Sequence, residues 1–387
     1  MSRDPFRFRP PPHATAAEER WCLLRAFAPR ETAAPAVAAA AAVGVARALG
    51  LAARIAGRLG PAALQRELGE ESARALLHDY ASALGRAQAL DRAARAVAQA
   101  AAEVGAPLVL LKGAALSALR LVDDAQREAV DVDALVPEDR LEALQDRLVA
   151  RGFRASDARP ADHQAAPLTD PSGAMVELHR FVPGLRAAGS RRDARLADLE
   201  RAGGLEPLAG WPGRVLAPAR DVLAAHALVH GLDQHGLSPG SYPLARMLGD
   251  LADLEAGGFA LLWSTVERWI GGSLSRAEAE AAFQLTGDLR RGGLPSSPHA
   301  DALLRHVLVA AADPGYGASL GQRALIAQLT SGAPGDRSRL LASVLFPTRA
   351  QLDALYGGPR SALGYVLLRL WRPFELGLRL ALYLLRG

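Results

Sequence analysis

The chain has 387 residues, half of them hydrophobic, so it is long enough for two or three domains with a substantial core. A net charge of +4 is too small for the concentrated basic field of a dedicated nucleic-acid binder, and a single cysteine excludes an intrachain disulfide and a thiolate metal cluster. No apolar run reaches the roughly 18 residues expected of a membrane span, and the arginine- and proline-rich start lacks the apolar segment of a signal peptide, so a cytoplasmic location is expected.

The first hundred residues are predicted to be mainly helical. Residues 1–13 are rich in arginine and proline, which predicts a flexible arm. Residues 14–105 are rich in alanine, which favours helix, and their pattern is interrupted near Pro29, Pro35 and Gly60. This part of the chain is therefore predicted to be an N-terminal helical region.

The pattern changes after residue 105 to a mixture of strands and helices. A short continuous apolar run is typical of a buried strand, and an Asp-Pro-Ser-Gly segment at residues 170–173 is a strong turn signal. The predicted elements are, in order, a strand at 108–111, a helix at 114–122, a strand at 129–136, a helix at 137–150, and a hairpin with strands at 164–168 and 174–182. Residues 106–185 are thus predicted to form a small mixed-sheet core.

Residues 186–387 are predicted to form a C-terminal helical domain with glycine- and proline-marked turns, for example at 238–240. A glycine-rich stretch at 315–321 lacks a preceding strand and a lysine, so it is interpreted as a turn rather than a phosphate loop. The predicted fold class is α+β, with the small mixed-sheet core flanked by N-terminal and C-terminal helical regions.

Paired acidic residues on the predicted strands indicate metal chemistry. Asp131 and Asp133 are two residues apart on a strand and therefore face the same way. Glu177 and His179 repeat this spacing on the later strand. Carboxylates so close together are costly unless they share a cation, and Mg²⁺ prefers a few carboxylates together with phosphate oxygens. The alternative is that these are solvated side chains at strand edges, with His179 orienting a carboxylate or packing at the rim.

A basic residue at the end of the first predicted strand indicates phosphate. Lys112 is the only lysine in the chain and is followed directly by Gly113. Arg127 lies shortly before the paired aspartates. A cation, a flexible turn and a strand with two carboxylates together suggest a site for phosphate and metal.

These segments resemble an uncharacterised bacterial nucleotidyltransferase family of the NTP-transferase-5 type, within the DNA polymerase β-like nucleotidyltransferase superfamily. The resemblance extends into the C-terminal half and covers about residues 75–385. The segments that carry it are Leu110-Leu111-Lys112-Gly113-Ala114-Ala115-Leu116, Arg127-x-x-x-Asp131-Val132-Asp133-x-Leu135-Val136, Val176-Glu177-Leu178-His179, Asp221-Val222-Leu223-Ala224-Ala225-His226-x-x-x-His230, Asp250-Leu251, and Leu345-Phe346-Pro347 followed by Tyr356.

The resemblance implies an enzyme that transfers a nucleoside monophosphate from a Mg²⁺-bound NTP to an acceptor hydroxyl and releases pyrophosphate. It implies that Asp131, Asp133 and Glu177 are catalytic and hold Mg²⁺. The residues that it assigns to nucleotide binding are Lys112, Gly113, Arg127 and His179. The superfamily's usual Gly-Ser or Gly-Gly pair is Gly-Ala here, at residues 113–114, so no hydroxyl stands beside the glycine.

Other interpretations stay open at this point, both for the protein and for one pair of histidines. The protein is alternatively a non-catalytic nucleotide-binding or scaffold protein of a polysaccharide or modified-peptide pathway, or a toxin that nucleotidylates its target. His226 and His230, four apart on a predicted helix, are interpreted as a wall of the active cleft, as ordinary packing, or as part of a zinc site. The expected partners are an NTP and an unknown acceptor, without a nucleic-acid signature.

The C-terminal segment is strongly apolar, with arginines seven residues apart at 372, 379 and 386. A helix of this kind lies in a membrane interface, packs on its own domain, or binds a partner. Peripheral membrane contact through residues 365–386 is therefore one expectation for this segment.

Overall fold

A computed structural model describes residues 13–156, 163–187, 190, 192–234, 244–271, 274–312, 345–346, 352 and 361–386. The chain divides into two compact units, Met1–Ala324 and Leu325–Gly387. The predicted arm, except for His13, and the predicted turns at 238–240 and 315–321 lie outside the described residues. The four-part division of the chain predicted from the sequence stays a prediction.

The first unit begins with helices. They are α1 (Ala17–Phe27), α2 (Ala39–Ala48) and α3 (Ala52–Glu103). The interruption predicted at Gly60 is confirmed: Gly60 has a φ of 73°, in the left-handed region, and α3 changes direction there. Gly69 produces a second kink with a φ of 77°, which the sequence pattern did not indicate. Apolar faces of α1, α2 and α3 pack into one continuous core with the sheet.

A seven-stranded mixed sheet is the centre of this unit. Its strands are β1 (Leu108–Leu110), β2 (Asp131–Leu135), β3 (Arg154–Ala155), β4 (Leu168–Thr169), β5 (Met175–His179), β6 (Leu205–Pro207) and β7 (Val215–Pro218). The spatial order is β3-β4-β5-β2-β1-β7-β6. β2 runs parallel to β5 and β1 runs parallel to β7, whereas β1 and β2 are antiparallel.

The predicted α+β fold class is confirmed, and most predicted elements of the core are present with shifted ends. The helix after β1 is α4 (Lys112–Ala118), and the helix after β2 is α5 (Glu138–Ala150). The prediction of helices alone beyond residue 186 is wrong for β6 and β7, which extend the same sheet. β7 is only four residues long and buried throughout, so it lacks the alternation that marks a half-buried strand.

The other described helices of this unit come after β5 in the chain, and all but the first come after β7. They are α6 (Leu196–Arg201), α7 (Arg220–Leu228) continued by a π-helical turn (Val229–Gln234), α8 (Leu244–Ala256), α9 (Trp263–Val266), a 3₁₀ turn (Glu267–Trp269), α10 (Arg276–Arg290) and α11 (Pro298–Ala312). A partly buried ion pair joins α3 to α8, because Arg54 donates to both carboxylate oxygens of Asp253 at 2.7 and 2.8 Å. This pair fixes α8 against the N-terminal helices.

The second unit contains α12 (Ala362–Arg386), a 25-residue helix. Within the described residues, no helix has both the length and the apolar character needed to cross a membrane.

Candidate functional site

The site begins where β1 ends. The backbone N–H of Leu111 donates to the carbonyl of Asp133 at 2.9 Å, which holds the start of α4 beside β2. Lys112 follows with a φ of 46°, a left-handed conformation that is costly for a residue with a Cβ and persists where its surroundings require it. Its Nζ donates to Oδ1 of Asp133 at 2.9 Å. The chain's only lysine is therefore held in a strained backbone conformation against a predicted catalytic carboxylate.

The carboxylates converge because β2 and β5 pair in parallel. Asp133 lies directly opposite Glu177, and the alternation of the strand places Asp131 on the same face two residues earlier. Asp133 is buried, whereas Asp131 and Glu177 are partly exposed. The three acidic residues predicted from the sequence thus share one face of the sheet.

His179 completes a compact donor group with two of these acids. Its Nε2 lies 2.8 Å from Oδ1 of Asp133 and 3.8 Å from Oε2 of Glu177. One donor atom from each of these three residues lies within 4.8 Å of the others, so the group could hold a metal ion. Among the described residues, the compact group of possible metal ligands thus includes His179 and not Asp131. The expectation that His179 contacts a carboxylate is confirmed.

His163 is a neighbour that the sequence pattern did not single out. Its ring stacks on that of His179, with centroids 5.3 Å apart and planes inclined by 20°. Burial, together with the nearby His179 and Lys112, lowers the pKa of His163 to about 4. No short-range motif marks His163, because it reaches the site through an isolated bridge between its neighbour Gln164 and His179 rather than through a regular strand.

The surroundings shift the pKa values of the three carboxyl groups in different directions. Burial alone would raise the pKa of Asp133, but Lys112 and His179 outweigh it and hold that pKa well below its usual value. Burial and the charge of Asp133 raise the pKa of Asp131 to about 6 and also raise the pKa of Glu177. Asp133 is thus already compensated by Lys112 and by its contact with His179, whereas the other two carboxylates favour an added cation.

Replacing Asp131 by asparagine is expected to stabilise the metal-free protein near neutral pH. The pKa of Asp131 in the folded state is about 6, above the ordinary value of 3.8. Ionisation of this carboxyl therefore does not destabilise the folded state below pH 3.8, and its destabilising effect is complete above about pH 6. We expect a gain of about 1–3 kcal/mol in the free energy of unfolding at about pH 7.5, vanishing near pH 4. Urea unfolding in a chelator measures this gain. A variant that is less stable than the wild type at about pH 7.5 would contradict the destabilising effect assigned to the ionised Asp131.

Arg127 has a firm structural partner beside the site. Its Nε and Nη2 donate to the two carboxylate oxygens of Asp250 on α8, at 2.6 and 2.9 Å, and both side chains are buried. The guanidinium lies against Gly113, where an added Cβ would be 2.0 Å from Nη1. Gly113 is therefore needed for the close approach of Arg127, and its predicted contact with a triphosphate stays a prediction.

His226 and His230 face the same region from α7 and the π-helical turn. They line a small pocket together with Lys112, Arg127 and Asp250. Burial and the charge of Lys112 lower the pKa of His226 to about 3, so this imidazole is neutral near pH 7. In the part of the chain that the structure describes, neither histidine belongs to a group of three potential metal ligands. These observations favour the cleft-wall interpretation over a zinc site.

Comparisons with known proteins agree with this arrangement. A family model described as an uncharacterised nucleotidyltransferase matches residues 35–257, more than half of the chain. No curated protein and no solved structure matches significantly. The match includes Lys112, the acidic residues on β2 and β5, and the helices that carry His226 and Asp250. The chain therefore belongs to this uncharacterised nucleotidyltransferase family.

Proposed function

We propose that the protein transfers a nucleoside monophosphate from a Mg²⁺-bound NTP to an acceptor hydroxyl and releases pyrophosphate. The observation that carries the proposal is the convergence of Asp131, Asp133 and Glu177 on one sheet face, next to Lys112. Family membership supports the same class of chemistry.

The donor set fits Mg²⁺. It offers carboxylate oxygens, the ligands that Mg²⁺ prefers, and two of the carboxyl groups have raised pKa values that a bound cation would relieve. Asp131 and Asp133 would hold the ion, with Glu177 as a third ligand or as a base. When bound there, Mg²⁺ would polarise the phosphate and stabilise the attacking and leaving oxygens.

The remaining steps belong to the protein's own side chains. The acceptor oxygen attacks the α-phosphorus, the bond from that phosphorus to the bridging oxygen breaks, and pyrophosphate leaves with the electron pair. Glu177 accepts the proton of the acceptor hydroxyl, a role suited to a carboxylate whose pKa is raised by burial and by Asp133. Lys112 neutralises phosphate charge, and His179 keeps Asp133 in place through its 2.8 Å contact.

Nucleotide binding provides the first test. Each of the four Mg-NTPs is added to the purified protein, and thermal unfolding is measured. A ligand at about 100 times its Kd stabilises the folded state by about 2.7 kcal/mol. A stabilisation that requires Mg²⁺ supports the proposal. The absence of any shift with all four nucleotides would instead support a non-catalytic scaffold.

Transfer itself is tested with α-labelled NTPs and a lysate of the source cell, followed by identification of the labelled product. A labelled small molecule or polymer supports a biosynthetic enzyme. Labelled tRNA or protein, with growth arrest on expression that Asp133→Ala relieves, would instead indicate a nucleotidylating toxin.

A further inference from the structure

A second, apolar pocket lies beside the acidic site. It is lined by the later part of α3, by α4, and by Asp131 and Gly113 of the acidic site. Its walls are mainly alanine, leucine and valine side chains, together with Trp211. Arg95 lies over the Trp211 ring at 4.6 Å from its centroid and so holds this aromatic wall in position.

The charges around this pocket are unsuited to phosphate. Besides Asp131, its polar lining includes Asp91 and Asp124. Asp91 accepts a hydrogen bond from Arg95 at 3.0 Å, and Asp124 accepts one from Ser117. Anionic groups are repelled by such carboxylates, whereas an apolar group is favoured by the walls.

The pocket lined by His226 and His230 has the opposite character. Lys112 supplies positive charge there, Arg127 and Asp250 line it as an ion pair, and the two imidazoles add nitrogen donors or acceptors. Arg127 borders both pockets, but its guanidinium is bound to Asp250. The two pockets therefore divide the surroundings of the carboxylates into a basic side, suited to the triphosphate, and an apolar, acidic side.

We propose that the pocket between α3 and α4 binds the acceptor, and that the acceptor carries an apolar or aromatic group without phosphate near its reactive hydroxyl. This inference rests on the proposed function, because it assigns the second substrate of the same site. An aromatic alcohol that enters along Trp211 would present its hydroxyl toward Asp131, where the transfer takes place.

Filling the pocket tests the assignment. Ala87, on α3, lines the pocket, and Ala87→Phe is expected to occupy it; Ala81→Phe, at an exposed position on the same helix, is the matched control. The probe is 2-phenylethanol, whose binding is followed by saturation-transfer NMR without nucleotide. We expect Ala87→Phe to weaken binding at least tenfold and Ala81→Phe to leave it unchanged. Equal binding by both variants would overturn the proposal.

Transfer assays separate this proposal from the proposed function. With α-labelled ATP, we expect the rate of transfer to 2-phenylethanol to be at least ten times the rate of transfer to glycerol. We expect Ala87→Phe to remove that preference while the variant still binds Mg-ATP. Loss of Mg-ATP binding in Ala87→Phe, or a preference for glycerol or an oligonucleotide, would overturn the acceptor assignment. If the wild type binds 2-phenylethanol in this pocket but never transfers from any NTP, the proposed function alone fails.

The helix α12 carries a second inference on independent evidence. Six large apolar side chains of this helix are each more than half exposed: Leu363, Val366, Leu367, Leu370, Trp371 and Phe374. Their spacings of three and four residues place them on one face of the helix. On the opposite side, Arg372 donates to Glu375 at 3.0 Å, and both side chains are only 13% exposed. Within the described residues, α12 thus exposes its apolar face, whereas this ion pair is largely shielded from solvent.

We further propose that this apolar face inserts into the surface of an anionic membrane. Arg369 on α12 is exposed, and the sequence of the helix has four arginines and one glutamate, a net positive charge that complements anionic headgroups. Trp371 and Phe374 on this face are suited to the boundary between headgroups and acyl chains. Because the helix is not apolar enough to cross a membrane, it would lie parallel to the surface.

Vesicle flotation tests the membrane contact. The full chain is mixed with vesicles of phosphatidylcholine containing phosphatidylglycerol, or of phosphatidylcholine alone. We expect binding to the anionic vesicles that falls at least about tenfold in the double variant Trp371→Ser/Phe374→Ser. The matched control is Leu262→Ser/Leu294→Ser, which removes exposed apolar side chains elsewhere. Unchanged vesicle binding by the α12 variant would overturn the proposal. So would a wild-type protein that binds no vesicles and instead forms a dimer that dissociates in this variant.

Discussion

Asp133→Asn is expected to reduce nucleotidyl transfer at least about 1,000-fold, because the variant loses the buried negative charge on which metal and phosphate binding depend. Asp133 is 2% exposed and contacts both Lys112 and His179 through the same carboxylate oxygen. The asparagine keeps one acceptor oxygen at this position but leaves Lys112 without its counter-charge. Transfer from α-labelled ATP, measured alongside the wild type, gives the result directly. Activity within tenfold of the wild type would end the enzymatic proposal.

Stability must be separated from catalysis in this comparison. The lowered pKa of Asp133 means that its charge stabilises the folded state above the ordinary value of 3.8 and that this contribution is lost as pH falls, so Asp133→Asn is expected to lower stability at neutral pH. Asp131→Asn is expected to raise stability yet also to abolish transfer. Two variants with opposite stability changes and the same loss of activity exclude unfolding as the cause. Asp139→Asn, at an exposed position on α5, is the control that should leave both properties unchanged.

The face shared by the acidic residues was predictable from strand periodicity alone. Asp131 and Asp133 are separated by one apolar residue, and so are Glu177 and His179, so each pair has a common direction once both segments are strands. The parallel register that sets Asp133 opposite Glu177 was not predictable, because pairing depends on contacts far apart in sequence. Family resemblance supplied the expectation that the two strands meet.

The pairing of Arg127 with Asp250 left no local signal. The two residues are 123 apart in sequence, and an arginine or aspartate by itself is most often a surface residue. The strand β7 borders β1 but is too short and too uniformly buried to show a period of two. The helical prediction for this stretch failed because tertiary pairing with β1, rather than local propensity, determines its conformation.

The pairing of Arg127 with Asp250 predicts a large loss of stability when either partner is removed. Both side chains are less than 10% exposed, and breaking a buried pair from one side costs about 3–5 kcal/mol because the other charge stays buried. We expect Arg127→Ala to lower the free energy of unfolding by this amount, measured in urea without nucleotide. A change below about 1 kcal/mol would show that the pair contributes little.

Gly113→Ala provides a sharper test, because its effect should change sign with the residue at position 127. In the wild type the new Cβ would meet Nη1 of Arg127 at 2.0 Å, and the guanidinium cannot move away without breaking its hydrogen bonds to Asp250. Gly113→Ala is therefore expected to destabilise the wild type. Gly113 does not have a positive φ, so in the Arg127→Ala background alanine should instead stabilise α4, by up to about 1 kcal/mol.

Gly85→Ala is the matched control for this reversal, because Gly85 lies in the helix α3 and an added Cβ there meets nothing within 4 Å. It is expected to stabilise both backgrounds equally. If Gly113→Ala changed the free energy of unfolding by the same amount and sign in both backgrounds, the side chain of Arg127 would not be what excludes a Cβ at position 113. In that case, the glycine after the chain's only lysine would need another explanation, and direct contact of its backbone with the nucleotide would be the first to test.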